Sequence, residues 1–311
     1  MMKTYKVIAA LAALLLSSAP AAAQKVVVKP RTTTRPATTR RPPVSKPPVS
    51  KPRKGSGDHG APAFRPRRIT EAECGQIVNN IISNMVRVQG GTFVMGGTFD
   101  GDPDPDRDSP AHEVTLSSYY IGKYEVTKKE WKAVMSGGGL TTPYDNNPME
   151  RVGYDDVQEF ISQLNQLTGR HFRLPTEAEW EFAARGGNQS RGYSYAGGDN
   201  PLDVAWTRYT IDAANTTYTQ PVGRKRPNEL GLYDMSGNVY EWVSDWYGPY
   251  RPEPQTNPQG GSKPGDTPYT RILRGGYWHG SDFESNVRYR RAIEEYESGN
   301  WIGFRLAMDA D

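Results

Sequence analysis

Cysteine is almost absent from this 311-residue sequence: Cys74 is the single one, and none follows it to the end of the chain. One thiol cannot close an intrachain disulfide, and it cannot supply the two thiolates that hold a soft metal ion such as copper(I). Histidine is scarce as well, with His59, His112, His171 and His279 too scattered for any paired metal-ligand motif. The longest apolar run, Val7 to Leu16, falls well short of the roughly 20 residues a membrane-spanning helix needs. There is no Gly-rich phosphate loop opening a helix and no G-x-S-x-G elbow, which sets aside nucleotide-binding and serine-hydrolase templates. Acidic residues abound, yet no spacing brings two of them to a glycosidase separation.

The chain begins with Lys3 and Lys6, then the apolar run, then Ala21-Ala22-Ala23 before Gln24. This order reads as a cleavable signal peptide over residues 1–23. The mature protein is therefore expected to be exported, periplasmic or extracellular, with no transmembrane segment and no lipid-bearing cysteine at the cleavage point. Residues 24–68 carry nine Pro, thirteen Lys or Arg and one acidic residue, Asp58. Too little apolar area is available there to offset the entropy of ordering, so the segment reads as a disordered, basic, Pro-rich tether. Residues 69–311 hold 23 basic and 34 acidic side chains, a net of −11, so the overall charge of +3 hides a basic tail on an acidic domain. The tail suits contact with an anionic polymer or a plain solvated spacer. Nucleic acid is not expected as a partner, because nothing supplies a stacking module.

Within residues 69–311, enough for one well-buried domain, Thr70 with Glu73 forms a capping box and predicts a helix to Ser83, its face made by Ile77, Val78, Ile81 and Ile82. Cys74 reads as a small buried side chain on that helix. Met85 to Met95 alternates on both sides of Gly90-Gly91 and predicts a hairpin. Five aspartates then fall at alternate positions from Asp100 to Asp108, a pattern able to ligate calcium, although Pro103 and Pro105 and the lack of a closing Glu favour a solvated loop. His112 to Tyr120 alternates like a strand. Capping boxes at Thr127 and Thr176 and an apolar face from Tyr154 to Leu167 predict three further helices. Between these elements lie long stretches rich in Gly, Tyr and Trp without regular period, which implies a loop-rich fold with an aromatic core.

Six blocks in order carry a resemblance: GGTFVMGG (Gly90 to Gly97), YEVTKKEW (Tyr124 to Trp131), RLPTEAEWEFAARGG (Arg173 to Gly187), NELGLYDMSGNVYEWVSDWYG (Asn228 to Gly248), LRGGYW (Leu273 to Trp278) and IGFRLAMD (Ile302 to Asp309). Together they resemble the formylglycine-generating enzyme, or sulfatase-modifying factor, family. The resemblance implies an α+β, C-type-lectin-like fold with little regular secondary structure. Asp234, Gly237, Val239 and Glu241 stand at offsets of zero, three, five and seven. A curled loop could turn two carboxylates and two carbonyls toward one point, a hard-oxygen set that suits calcium; the same carboxylates could instead cap turns or pair with arginines. The resemblance adds to the calcium reading, since family members hold a structural calcium with residues matching these four. A second family calcium site, near Asp203 to Trp206, stays open because Val204 stands where an amide ligand is expected.

The family enzymes oxidise a substrate cysteine through two copper-binding cysteines that follow the RGG motif. Here the matching positions are Gly280 and Ser285. Neither can replace a thiolate, so copper is not expected. His279 and Asp282 make two thirds of a facial iron triad, but the His-rich helical domain of the iron-using relatives has no counterpart here. Two functions remain. One is a non-catalytic binding or scaffold module of the bacterial envelope, a pseudoenzyme similar to the cysteine-lacking relatives in gliding and secretion machinery. It would present Trp278, His279 and Asp282 to an envelope protein or glycan, with Arg274 and Arg305 as structural arginines flanking the segment. The alternative is a metal-dependent oxidoreductase of the same family acting on a protein or small molecule.

Overall fold

The computed structural model describes residues 64–99, 104, 107–214, 216–261 and 270–310. The expected signal peptide, nearly all of the tether and three of the alternating aspartates, Asp100, Asp102 and Asp106, lie outside the described residues. In chain order the elements are α1 (Glu71–Ser83), β1 (Met85–Val88), β2 (Gly91–Met95), β3 (His112–Leu116), β4 (Tyr119–Gly122), α2 (Lys128–Ser136), α3 (Tyr154–Thr168), β5 (Phe172–Arg173) and α4 (Glu177–Ala184). Then come α5 (Pro201–Val204), α6 (Arg208–Ala213), β6 (Tyr240–Trp246), β7 (Gln255–Thr256), β8 (Thr270–Arg274), β9 (Arg290–Glu294), β10 (Ile302–Phe304) and β11 (Ala307–Asp309). They form two four-stranded sheets, β1-β4-β11-β5 and β10-β6-β8-β9, and a three-stranded sheet β2-β3-β7. No helix of the described residues is long and apolar enough to cross a membrane.

The helices start where the sequence says they should. Thr70, Thr127 and Thr176 each accept a backbone N–H three residues on, while the matching glutamate reaches back to the cap. Gly169 ends α3 in the left-handed region at φ 66°. Arg67 and Arg68, just ahead of α1, already belong to the fold: Arg67 N donates to Thr141 Oγ1 and ion-pairs Glu73, and Arg68 bridges Leu140. Cys74 is buried on α1.

The hairpin expected over Met85 to Met95 does not form. β1 pairs with β4 and β2 with β3, both antiparallel, so residues 85–95 run as one bent ribbon against residues 112–122 and change sheets midway. The reason lies at Gly90. A Cβ there would sit 2.4 Å from the Leu116 carbonyl oxygen, and Gly90 N donates to Ser118 Oγ. The glycine serves close backbone approach at a bend rather than a tight turn. Of the alternating aspartates, Asp108 is buried and ion-paired with Arg107 at 2.9 Å.

Helix α4 is the hub. All eight of its residues are buried, including Glu177, Glu179 and Glu181. Trp180 and Phe182 pack in one core cluster with Val88, Val114, Ile121 and Ile272, while a second cluster joins α3 (Val157, Phe160, Leu164) to Trp242, Leu273 and Phe304. A helix polar on one buried face requires cations from its neighbours, and the strands supply them.

Candidate functional site

Glu177 and Glu181 lie one turn apart on α4 and point at β8 and β9. Arg290 grips Glu177 with Nε and Nη2 at 2.9 and 2.7 Å. Arg274, fully buried, donates to Glu181 at 2.6 Å and reaches Glu177 at 3.4 Å. Its two amino groups also donate to the carbonyls of Val287 and Arg288. Arg274 therefore fixes the segment after the RGG turn onto the α4 face, the structural role the sequence assigned. Arg305 does the same for the other end. Its Nε and Nη2 clasp Glu241 at 2.6 Å each, while Nη1 and Nη2 donate to the carbonyls of Gly122 and Tyr233.

The four expected calcium ligands are divided by these contacts. Glu241, fully buried, already accepts two bonds from Arg305 and one from Trp180 Nε1 at 2.7 Å. Asp234 is different: Oδ2 accepts Gly223 N at 2.7 Å, but buried Oδ1 has no hydrogen-bond partner. The loop between them curls as the offsets require, with left-handed φ at Asp234 (57°), Gly237 (83°) and Asn238 (64°). At Gly237 a Cβ would lie 2.2 Å from the Trp206 carbonyl oxygen. A third carboxylate, unforeseen from sequence, lies near enough to feel the charges of both. Glu125, in the YEVT block, is buried and accepts from Asn238 Nδ2 at 2.7 Å and Val239 N at 3.1 Å. Burial first, then the charges of Asp234 and Glu241, push the Glu125 carboxyl well above the usual range. Burial also pushes Asp234 up to about 6.

Three buried carboxylates thus share one guanidinium, an imbalance that a divalent cation would offset. Among the described residues no three His, Cys, Asp or Glu side chains converge as a ready ligand set. A calcium held by Asp234, Glu241 and two carbonyls would draw on only two of them. The orphaned Asp234 oxygen and the curled loop fit the ion; the filled Glu241 leaves it one lone pair to offer.

Asp245, on β6, is a further buried acid. Its Oδ2 accepts from Glu177 N and Ser244 Oγ at 2.9 and 3.0 Å, and no cation of the described residues pairs with it. Burial and then the nearby Glu177 charge raise its pKa to about 7. The fold thus favours the neutral acid, so this stabilisation is complete at low pH and is lost as pH climbs through 7. Between pH 6 and 8 the wild type should lose on the order of 1 kcal/mol through this group. Asp245→Asn should remove that part of the pH dependence in urea unfolding curves; an unchanged slope would show that Asp245 is ionised throughout.

The segment after the RGG motif packs between α6 and the β6–β10 edge. Trp278 N donates to the Asn238 carbonyl at 2.9 Å and its Nε1 to the Asn300 carbonyl at 3.1 Å. His279 is exposed, its ring tilted against Trp278 at 5.2 Å and its Nδ1 3.5 Å from an Arg208 amino group. Asp282 Oδ1 accepts from Thr207 Oγ1, the residue that precedes α6. The three predicted surface residues therefore sit in one turn, but two of them have internal partners and His279 alone stands out.

Beside that turn is an aromatic group that sequence reasoning passed over. Tyr277 stacks on Tyr240 at 5.5 Å, Trp301 meets both at 5.8 Å, and the Arg291 guanidinium lies 5.2 Å from the Trp301 ring. Its signal was the density of aromatics in GGYW and NW. The two positions matched to the family's cysteines are also filled. A Cβ on Gly280 would lie 2.8 Å from the Tyr277 ring and 2.9 Å from a Glu284 carboxylate oxygen. Ser285 is fully buried, and its hydroxyl has no partner.

A mixed α+β fold knit by buried arginine–carboxylate pairs, with an RGG turn carrying an irregular surface segment, defines a lectin-like class of domain. Residues 71–310 match the family model described as the sulfatase-modifying factor enzyme 1-like domain, and the chain belongs to that family. It is 31% identical to the chaperone protein LppX of Paenibacillus barcinonensis, over 75% of this chain and 92% of that protein. It is 30% identical to the formylglycine-generating enzyme of Streptomyces coelicolor, over 73% and 89% respectively. Among solved structures it resembles Treponema denticola variable protein 1, with TM-score 0.61 and 26% identity over 73% of this chain and 95% of that one. PvdO from Pseudomonas aeruginosa is also similar, with TM-score 0.59 and 26% identity over 80% and 100%.

Proposed function

We propose that this protein is an exported, non-catalytic member of its family that binds or scaffolds a partner in the bacterial envelope. One observation carries the reading. The place of the two copper thiolates is taken by Gly280, which the Tyr277 ring and Glu284 leave no room to extend, and by Ser285, sealed in the core. A serine hydroxyl is a hard, protonated group and does not replace a thiolate, and no other thiol follows Cys74. In place of a reactive pair the segment offers an aromatic and cationic surface around His279, Trp278 and Asp282. Aromatic and arginine groups are what protein and glycan contacts draw on most. A relative whose name makes it a chaperone protein supports handling of other proteins over oxidation.

In this reading the Asp234, Gly237, Val239 and Glu241 loop holds a structural calcium, and the basic tail contacts an anionic envelope polymer. Purified protein supplied with copper(I), oxygen and a cysteine-containing peptide should yield no aldehyde detectable with a hydrazide probe. Metal analysis of the same preparation should find no stoichiometric copper or iron. Aldehyde formation, or either metal at one per chain, would overturn the proposal in favour of a metal-dependent oxidoreductase.

A further inference from the structure

Near the start of β9 a cationic cleft shares no residue with the Trp278, His279 and Asp282 face. Arg288 is held at both backbone ends: its N donates to Asn286 Oδ1 at 3.0 Å and its carbonyl accepts from Arg274 at 2.8 Å. Its half-buried guanidinium, by contrast, has no hydrogen-bond or ion-pair partner among the described residues. Next to it is Arg185, whose Nε and Nη2 donate to Glu181 and whose Nη2 also reaches the Gly96 carbonyl at 3.3 Å, while Nη1 has no hydrogen-bond partner among the described residues. Together the two arginines line a cleft of about 440 Å³ with Thr98 and Ser109, and with Val94 and Ala111 on an apolar rim.

Two like charges held side by side and half out of water are costly unless an anion lies between them. The carboxylates already there do not provide it. Glu177 and Glu181 face four guanidiniums, those of Arg185, Arg274, Arg288 and Arg290. Asp108 is taken by Arg107. Among the described residues Asp245, on the far side of Glu177, is a further acid of this network, and the four guanidiniums still exceed these carboxylates by one to two charges. Burial and the Arg185 charge accordingly push the Arg288 guanidinium below its ordinary value.

We propose that the Arg185–Arg288 cleft is a seat for a tetrahedral oxyanion, a phosphate or sulfate group carried by a ligand. Arg185, anchored by Glu181, offers its outer amino group. Arg288, with its backbone fixed and its side chain unengaged, closes on the other side of the anion, the forked geometry that guanidinium–oxyanion pairs favour. The Thr98 hydroxyl lies at the mouth as a further donor. The apolar rim at Val94 and Ala111 suits an organic group that bears the anion.

Isothermal titration with phenyl phosphate, a dianion at neutral pH, and phenyl sulfate, a monoanion, in chloride buffer, separates the two sources of the oxyanion. Wild type should bind at least one of them, and the bound anion should raise the melting temperature. Arg288→Gln should weaken that binding about tenfold or more. Because Arg288 makes no internal side-chain bond, the same variant should melt no lower than wild type without the anion, which separates a lost site from a lost fold. Arg288→Lys, which keeps the charge and loses the fork, should fall between the two. Absence of binding to wild type, or equal binding by Arg288→Gln, would overturn the assignment and leave Arg288 a surface side chain.

Discussion

Replacing Arg305 by methionine is expected to lower the unfolding free energy by about 3–5 kcal/mol, enough to leave much of the protein unfolded at ordinary temperature. The side chain is fully buried and donates to Glu241 twice and to two carbonyls, tying β4, β6 and the loop at Tyr233 to the last strands. Removing it leaves Glu241, Glu125 and Asp234 without the guanidinium that, among the described residues, lies close to all three. The cost comes mostly from that uncompensated charge rather than from the lost pair itself, since a buried ion pair taken whole contributes little net stability. Two companion variants follow from the same argument. Arg305→Lys keeps the charge but not the fork and should lose less. The double variant Arg305→Met with Glu241→Gln should recover part of the loss, because one orphaned carboxylate is gone. Urea unfolding curves give all three; a single Arg305→Met value within about 1 kcal/mol of wild type would mean that the carboxylates are neutral and the pairing is unimportant.

Chelation is expected to produce the second large effect. If calcium occupies the Asp234 loop at a thousand times its dissociation constant, its removal withdraws about 4 kcal/mol of stability, several degrees or more in melting temperature. Choice of variant decides whether the test means anything. Glu241→Ala would destabilise the fold with or without the ion, because Arg305 and Trp180 Nε1 both lose their acceptor. Asp234→Asn is the diagnostic change. Its Oδ1 has no protein partner to lose and the amide can still accept from Gly223 N. The variant should melt at a temperature little affected by chelator, whereas wild type in added calcium melts well above wild type in chelator. If chelator leaves the wild type where it was, the loop binds no calcium.

The helices were legible because their signals are local. A threonine, a glutamate three residues on and an apolar stripe are all near neighbours in sequence, and each of the three capping boxes closed as read. The left-handed turns at Asp234, Gly237 and Asn238 fall within the one loop that the spacing of Asp234 and Glu241 singles out in the sequence. The failed hairpin marks the limit. Alternation at Met85 to Met95 announces two strands, but which strand each one pairs with depends on residues 112–122 and on the space that Gly90 leaves. Glu125 was missed because nothing near it in sequence shows that Asp234 and Glu241 lie across the fold. Arg288 was passed over because an arginine without a side-chain partner is recognised only once the neighbouring acids are seen paired with other arginines.

The sequence by itself settled the family, the α+β class and the absence of a two-thiolate centre, because composition and ordered motifs are properties of the chain. Tertiary structure alone decided which charges are paired. It gave Glu241 to Arg305, left Asp234 Oδ1 and the Arg288 guanidinium without partners among the described residues, and placed Tyr277, Glu284 and the core around Ser285 against the positions of the missing thiols. The physical reason is that burial sets the cost of a charge, while its relief depends on groups brought near by folding from anywhere in the chain.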